Sequence, residues 1–294
     1  MRGKKNTKSS MKAIAFLFPF LSLYILFTIY PMIKGLEMSF YKWNLIRKIE
    51  FVGLDNYKKM LNDPGFWESL WNTTFFVIVS TPLFVVISLL LAMVSNVNSR
   101  LKTFYRGAFF LPYILSVSVI SFLAIFMLKP YTGFINGFLH IVGISAEPYW
   151  LAEPALAWIS IIVTTLWWSL GFNLILYLAA LQEIDPSLYE AGKMDGANKW
   201  KLFWHVTVPM LGPITKVIVL LQIISSYKLF AQVWLVTKGG PGTTTRPIIQ
   251  YIYETGFVDN NLGYAATMSY GLFVILLILA VSQYKLTMNK RGGR

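Results

Sequence analysis

Six apolar runs constrain the chain before anything else does: residues 13–33, 73–94, 107–128, 155–178, 213–236 and 265–284. Each is ~20 residues or slightly longer, which at ~1.5 Å per residue covers the ~30 Å of hydrocarbon in a bilayer. A backbone in hydrocarbon must satisfy its own hydrogen bonds, so isolated runs of this length are helices. The sequence predicts an all-α, polytopic membrane protein with six transmembrane helices. Its 56% hydrophobic and 13% charged residues agree. Soluble domains carry ~25% charge, so the apolar excess belongs to lipid-facing helices.

Residues 1–12 are polar and basic, and 13–294 are expected to form one transmembrane domain. The first apolar run is span-length and lacks a small-x-small cleavage site, which argues against a cleaved signal peptide. Of the 26 lysines and arginines, 15 lie at the N-terminus, after the second and fourth runs and at the C-terminus, whereas 9 lie in the other loops. Acidic residues divide 4 against 9, so the two sides carry +11 and zero. Positive loops stay inside, and both termini are expected to be cytoplasmic at the cell membrane. The net charge of +13 therefore reports loop placement, and no nucleic-acid partner is expected. The absence of cysteine excludes disulfides, thiolate zinc sites, iron–sulfur clusters and thiol nucleophiles. No metal site or cofactor of the chain's own is predicted.

Pro19, Pro82, Pro112, Gly171 and Gly271 predict kinks within the spans. The outer stretch 34–72 predicts short interfacial helices. The most informative loop is 183–212. Asp185 before Pro186 is a helix-start signal, since the carboxylate accepts from free N–H groups and proline loses nothing at the first position. A helix over 186–194, a turn at Asp195 and Gly196, and a second helix over 197–203 follow, with Pro209 leading into the fifth span. Leu188, Met194, Trp200 and Phe203 give this hairpin an apolar surface where no hydrocarbon lies. Packing on its own bundle or on headgroups is one reading, and a protein partner is the other.

Glu190, Ala191 and Gly192, then Asp195, Gly196 and Ala197, then Phe203, Val208 and Pro209 resemble the EAA loop of permease subunits of binding-protein-dependent ABC importers. The likeness is closest to the maltose-type carbohydrate-uptake branch. FVGLDNY at 51–57, FFLPYILS at 109–116, GFINGFL at 133–139, LAEPALAW at 151–158 and KGGPGTTTRPIIQYIYETGF at 238–257 extend it over nearly the whole chain. Gly192 stands where the family usually carries a second alanine, a change expected to loosen the helix by ~1 kcal/mol without altering its shape.

The resemblance implies a type I importer permease fold. It also implies that Leu188, Glu190, Ala191, Gly192, Asp195, Gly196, Ala197, Trp200, Phe203 and Pro209 form a loop that docks in a groove of an ATPase subunit. The implied partners are a second homologous permease in a heterodimer, two copies of the ATPase that bind ATP and Mg, and an extracellular solute-binding protein, lipid-anchored or periplasmic, that delivers a carbohydrate. The chain contains no G-x-x-x-x-G-K-[ST], and GGPG at 239–242 lacks the lysine and reads as a turn. The chain itself is therefore not expected to be an enzyme. An importer for an amino acid or a peptide remains the alternative.

Polar groups within spans mark pathways because lipid penalises them. Asn173 and Tyr177 in the fourth span, with Gln222, Ser225, Tyr227, Lys228 and Gln232 in the fifth, are the candidates. Lys228 falls near mid-membrane, and no span contains Asp or Glu to neutralise it. A uronate-bearing oligosaccharide offers the missing carboxylate, and a salt bridge to the partner permease fits the same facts. A membrane-embedded enzyme finds no constellation, since His140 and His205 lie on opposite sides and Glu147 and Glu153 stand among prolines without a partner. A proton- or sodium-coupled carrier needs embedded carboxylates or broken helices, and the carboxylates are missing.

Overall fold

The computed structural model describes residues 7–96 and 102–289. Residues 1–6 of the N-terminal segment, and the basic residues Arg100, Lys290, Arg291 and Arg294, lie outside the described residues. Helix α1 (Thr7–Tyr24) runs through a π-helical turn (Ile25–Ile29) into α2 (Tyr30–Ser39). Pro31 has no N–H to donate to Phe27, and the wider turn ahead of it absorbs the missing bond. A short antiparallel hairpin of β1 (Tyr41–Trp43) and β2 (Lys48–Phe51) follows, then α3 (Asp55–Leu61), α4 (Pro64–Asn96), α5 (Lys102–Ile114), α6 (Val117–Met127), α7 (Phe134–Ile141) and α8 (Pro154–Gln182). Helices α9 (Pro186–Met194) and α10 (Lys199–Leu202) lead through a second π turn (Phe203–Thr207) and α11 (Val208–Met210) into α12 (Gly212–Tyr227). Helices α13 (Ala231–Val236), α14 (Ile248–Tyr253) and α15 (Leu262–Asn289) complete the chain, with a third π turn at Glu254–Val258.

Among the described residues four helices are long and apolar enough to cross a membrane: Phe16–Ser39, Pro64–Asn96, Pro154–Gln182 and Leu262–Gln283. Counting each of two bent pairs as one span gives six. Lys102–Ile114 meets Val117–Met127 at 99°, and Lys199–Met210 meets Gly212–Tyr227 at 64°. The run expected at 107–128 is thus broken, whereas the 64° bend falls at Leu211, ahead of the run expected at 213–236, which has a break of its own. The third span breaks at Leu115 and Ser116, just past Pro112, and Ser116 caps the new helix by accepting from Val119 N. The fifth breaks after Tyr227, where Lys228 closes α12, and α13 starts at Ala231.

The chain divides into two compact units. In the first (Met1–Asp63 with Ile252–Ile275), a knot of polar contacts surrounds the buried Ser39. Its hydroxyl meets Tyr57 Oη at 2.8 Å, and its carbonyl accepts from Asn56 Nδ2 at 3.0 Å and Thr267 Oγ1 at 3.1 Å. The hairpin replaces part of the helical structure expected over 34–72. Asn44 Oδ1 accepts from the N–H groups of Ile46 and Arg47 and so closes the turn without glycine.

In the second unit (Pro64–Tyr251 with Leu276–Arg294), α8 packs along α4, α5 and α12. Two apolar clusters fill it. Phe76, Phe84, Trp158, Ile161 and Val233 form one, and Leu174, Tyr177, Leu178, Leu211 and Ile218 form the other. Gly171, expected to mark a kink, lies instead where α8 crosses α5, and a Cβ there would stand 2.9 Å from Phe109 O. Glu147, expected to be unpartnered, accepts from Asn136 Nδ2 at 2.8 Å and pairs with His140 Nε2 at 2.7 Å.

Candidate functional site

The hairpin α9–α10 is built from local chemistry. Asp185 is extended, and its Oδ1 accepts from Ser187 N at 2.9 Å. That hydrogen bond to the charged form holds the Asp185 carboxyl below the usual carboxylate range. Gly196, at φ 76°, ends α9 in a left-handed turn. Gly196 N donates to Lys193 O at 3.0 Å and Ala197 N to Gly192 O at 2.9 Å, which together form a Schellman closure. Asn198, which the sequence reading passed over, caps α10 by accepting from Lys201 N at 2.9 Å. The signal was present, since asparagine is among the strongest N-cap residues.

The second helix is shorter than expected, because Pro209 again draws a π turn out of the residues ahead of it. Gly192 has a packing reason. A Cβ at that position would stand 2.6 Å from Leu202 Cδ2, so glycine lets α9 close on the buried Leu202. Glu190, Ala191, Asp195 and Pro209 are exposed, whereas Ala197 and Phe203 are half-buried. Leu188, Trp200 and Met194 are 40, 68 and 88% exposed, and Trp204 joins Trp200 and Phe203 in one aromatic group. The hairpin therefore presents a rigidly closed turn flanked by uncovered apolar side chains.

Deeper in the same unit, a cavity of about 530 Å³ lies at the level of both helix breaks. Five of the seven pathway candidates line it: Asn173, Gln222, Ser225, Lys228 and Gln232. Asn173 Nδ2 donates to Gln222 Oε1 at 3.0 Å, and Gln222 Nε2 to Ser226 Oγ at 3.1 Å. Thr165 Oγ1 lies 2.8 Å from Gln232 Oε1, and Gln232 Nε2 has no partner. Trp168 donates from Nε1 to Leu115 O at 3.1 Å, satisfying a carbonyl released by the break in the third span.

Tyr177 and Tyr227 do not reach the cavity. Burial places the Tyr177 hydroxyl 3.1 Å from Thr215 Oγ1, and the Tyr227 hydroxyl 3.2 Å from Thr74 Oγ1. The sequence reading did not single out Thr165, Ser169, Phe172 or Tyr113, which also line the space. Three of them are one helical face of α8, a periodicity hidden because both faces of that helix are apolar.

Elsewhere in the unit, the GGPG segment forms the expected turn. Gly239 and Gly242 take φ 85° and 60°, and Gln250 Nε2 holds Lys238 O at 3.0 Å.

The family described as "Binding-protein-dependent transport system inner membrane component" matches residues 61–286. The lactose transport system permease protein LacF of Rhizobium radiobacter is 36% identical over 276 residues, which cover 92% of this chain and 91% of LacF. A solved bacterial ABC transporter involved in the import of the acidic polysaccharide alginate has a chain that superposes with a TM-score of 0.84 at 25% identity, covering 99% of both chains. The bacterial alginate ABC transporter in complex with an alginate pentasaccharide-bound periplasmic protein gives 0.85 at 25% identity, covering 96% of both.

Proposed function

This chain belongs to the family of binding-protein-dependent transport system inner membrane components, and we propose that it is the permease subunit that passes a carbohydrate into the cytoplasm during ATP-driven import. One observation carries the mechanistic reading: the capped, glycine-closed hairpin α9–α10 holds uncovered apolar side chains at one end of the same packed unit that contains the mid-span cavity.

In this reading Leu188, Met194, Trp200 and Phe203 seat in a groove of a separate ATPase subunit, which binds ATP and Mg. Glu190 and Ala191 are exposed on α9 and contact that groove, Gly192 packs against Leu202 inside the hairpin, and Asp195, Gly196 and Ala197 fix the angle at which α10 leaves it. Closure of two ATPase subunits draws the docked hairpins of this chain and a second, homologous permease together. Because α10 continues through α11 into α12, that displacement reaches the wall of the cavity directly. Both termini then lie in the cytoplasm with the hairpin, in agreement with the charge asymmetry.

The carbohydrate assignment is supported by the lactose permease relative and by the alginate importers. The latter support delivery by a binding protein on the outer side and extend the cargo class to acidic glycans. The cavity's chemistry suits saccharides, since amide and hydroxyl groups sit beside Trp168 and Phe172, a mixture of directed hydrogen bonds and apolar faces. The test is ATP hydrolysis by the purified permease–ATPase complex with its binding protein. Stimulation by oligosaccharides and not by amino acids or peptides is expected, and stimulation only by amino acids or peptides would contradict the assignment.

A further inference from the structure

We infer that the cavity recognises a carboxylate on its cargo, with Lys228 as the counter-charge and Gln232 as a second contact point on the same sugar unit. This rests on the carbohydrate reading and narrows it to uronate-bearing saccharides.

The first observation is the position of Lys228. It caps α12 where the fifth span breaks, its side chain is exposed, and it lines the cavity. No Asp or Glu lines that space, and Lys228 forms no ion pair among the described residues. An ammonium deep in a membrane protein needs water, a carboxylate or an anionic ligand around it. When the cavity closes on a neutral sugar, water leaves and nothing replaces it as a counter-charge. A uronate supplies that charge itself.

The second observation is independent of charge. Gln232 is 2% exposed, lines the same cavity and has one end of its carboxamide unfilled. Thr165 Oγ1 holds the other end, lying 2.8 Å from Gln232 Oε1 and 2.6 Å from Ile161 O. A threonine hydroxyl has a single hydrogen and serves one of these acceptors at a time. Whichever way the amide is turned, one of its polar ends is left buried beside the cavity without a partner. Buried polar groups almost always find a partner, so an unfilled amide end beside a cavity calls for a water, an ion or a ligand group. A sugar hydroxyl both donates and accepts, so it satisfies either orientation. Asn173, Gln222 and Ser226 close on one another and make no comparable demand. Lys228 and Gln232 line one cavity, and the two unmet groups, one charged and one neutral, call for a saccharide carrying a carboxylate and hydroxyls together.

The experiment is initial uptake into proteoliposomes that hold the complete permease–ATPase complex, with the binding protein outside. Two labelled trisaccharides of equal length are compared, one of uronate units and one neutral. The binding protein is the same throughout, so each variant is read as its ratio to wild type for each cargo. Lys228→Met is expected to lower uronate uptake ~10-fold or more, the usual scale for losing a hydrogen bond to a charged group, and to leave neutral uptake within about twofold. Lys228→Arg, which keeps the charge, is expected to retain most uronate uptake. Gln232→Leu should impair both cargoes.

Copurification of the ATPase with each variant reports assembly, and Lys228→Gln serves if the methionine variant does not assemble. Equal losses of both cargoes in Lys228→Met would overturn the inference, because the lysine would then pair with a carboxylate of the partner permease. Wild-type uptake of the neutral trisaccharide alone would overturn it too, while leaving the carbohydrate reading intact. Uptake of neither saccharide beside uptake of an amino acid or peptide would remove that reading as well.

Discussion

Asn173 Nδ2 donates to Gln222 Oε1 at 3.0 Å, tying α8 to α12 at the edge of the cavity. Both side chains are buried, and Gln222 passes the network on to Ser226. Removing one partner leaves the other's polar group orphaned in a low-dielectric site, at a cost of ~1 to 3 kcal/mol. Asn173→Leu is therefore expected to lower the thermal midpoint of the detergent-solubilised complex. The double variant Asn173→Leu with Gln222→Leu should lose less than the sum of the two single losses. Additive losses would show that the pair does not interact.

Gly196, at φ 76°, is the hairpin position held in the left-handed region. Gly196→Val forces a β-branched residue into a left-handed conformation that costs an ordinary residue ~1 to 2 kcal/mol, so the turn opens and α10 is re-aimed. The expected outcome is a complex that still assembles but whose ATP hydrolysis no longer responds to loaded binding protein. Normal stimulation in this variant would remove the hairpin from the coupling path.

Gly171 has a different role, as the contact point of α8 with α5. A Cβ there meets the Phe109 carbonyl at 2.9 Å and the Phe110 Cα at 2.9 Å, and backbone cannot rotate away as a side chain can. Gly171→Leu should push the two helices apart and sharply reduce the yield of folded protein by size-exclusion chromatography. Gly107, with open space around its Cα, should accept alanine without loss.

The cap at Asp185 gives a pH dependence of known sign. Its carboxyl titrates below its ordinary value of 3.8 because Ser187 N–H favours the charged form. The stabilisation is therefore fully present above that ordinary value and disappears as pH falls through the lower folded-state value. Hydrogen exchange across α9 should be flat from neutral pH to about pH 4 and lose protection below it. Asp185→Asn should keep the cap and abolish this acid response, and Asp185→Ala should show weakened protection already at neutral pH.

The hairpin was legible in sequence because its signals are local. Asp185 with Pro186, and Gly196 ten residues on, fix α9 at both ends without reference to any other part of the chain. The spans were legible because hydropathy records burial in lipid. Of the breaks within them, the one in the third span was signalled as a kink at Pro112 but not in its size, which depends on tertiary contacts such as Trp168 with Leu115, and the one after Tyr227 carries no proline or glycine to mark it. Tyr177 and Tyr227 looked like pathway residues because a hydroxyl within a span is conspicuous. Their partners, Thr215 and Thr74, lie on other turns or other helices, and no spacing rule joins them. His140 and Glu147 are separated only by a turn, yet their pairing depends on Asn136 holding the carboxylate in place.

The central claim is that this chain carries saccharide across a membrane only under the drive of a separate ATPase. Its most direct measurement is the accumulation of labelled oligosaccharide inside sealed vesicles that contain the permease pair, with the binding protein outside and ATP enclosed. Accumulation against a gradient is predicted when the ATPase subunits are present and ATP is hydrolysed, and none when they are omitted or the nucleotide cannot be cleaved. Equal accumulation without the ATPase, or none of any saccharide with the complete complex, would contradict the account.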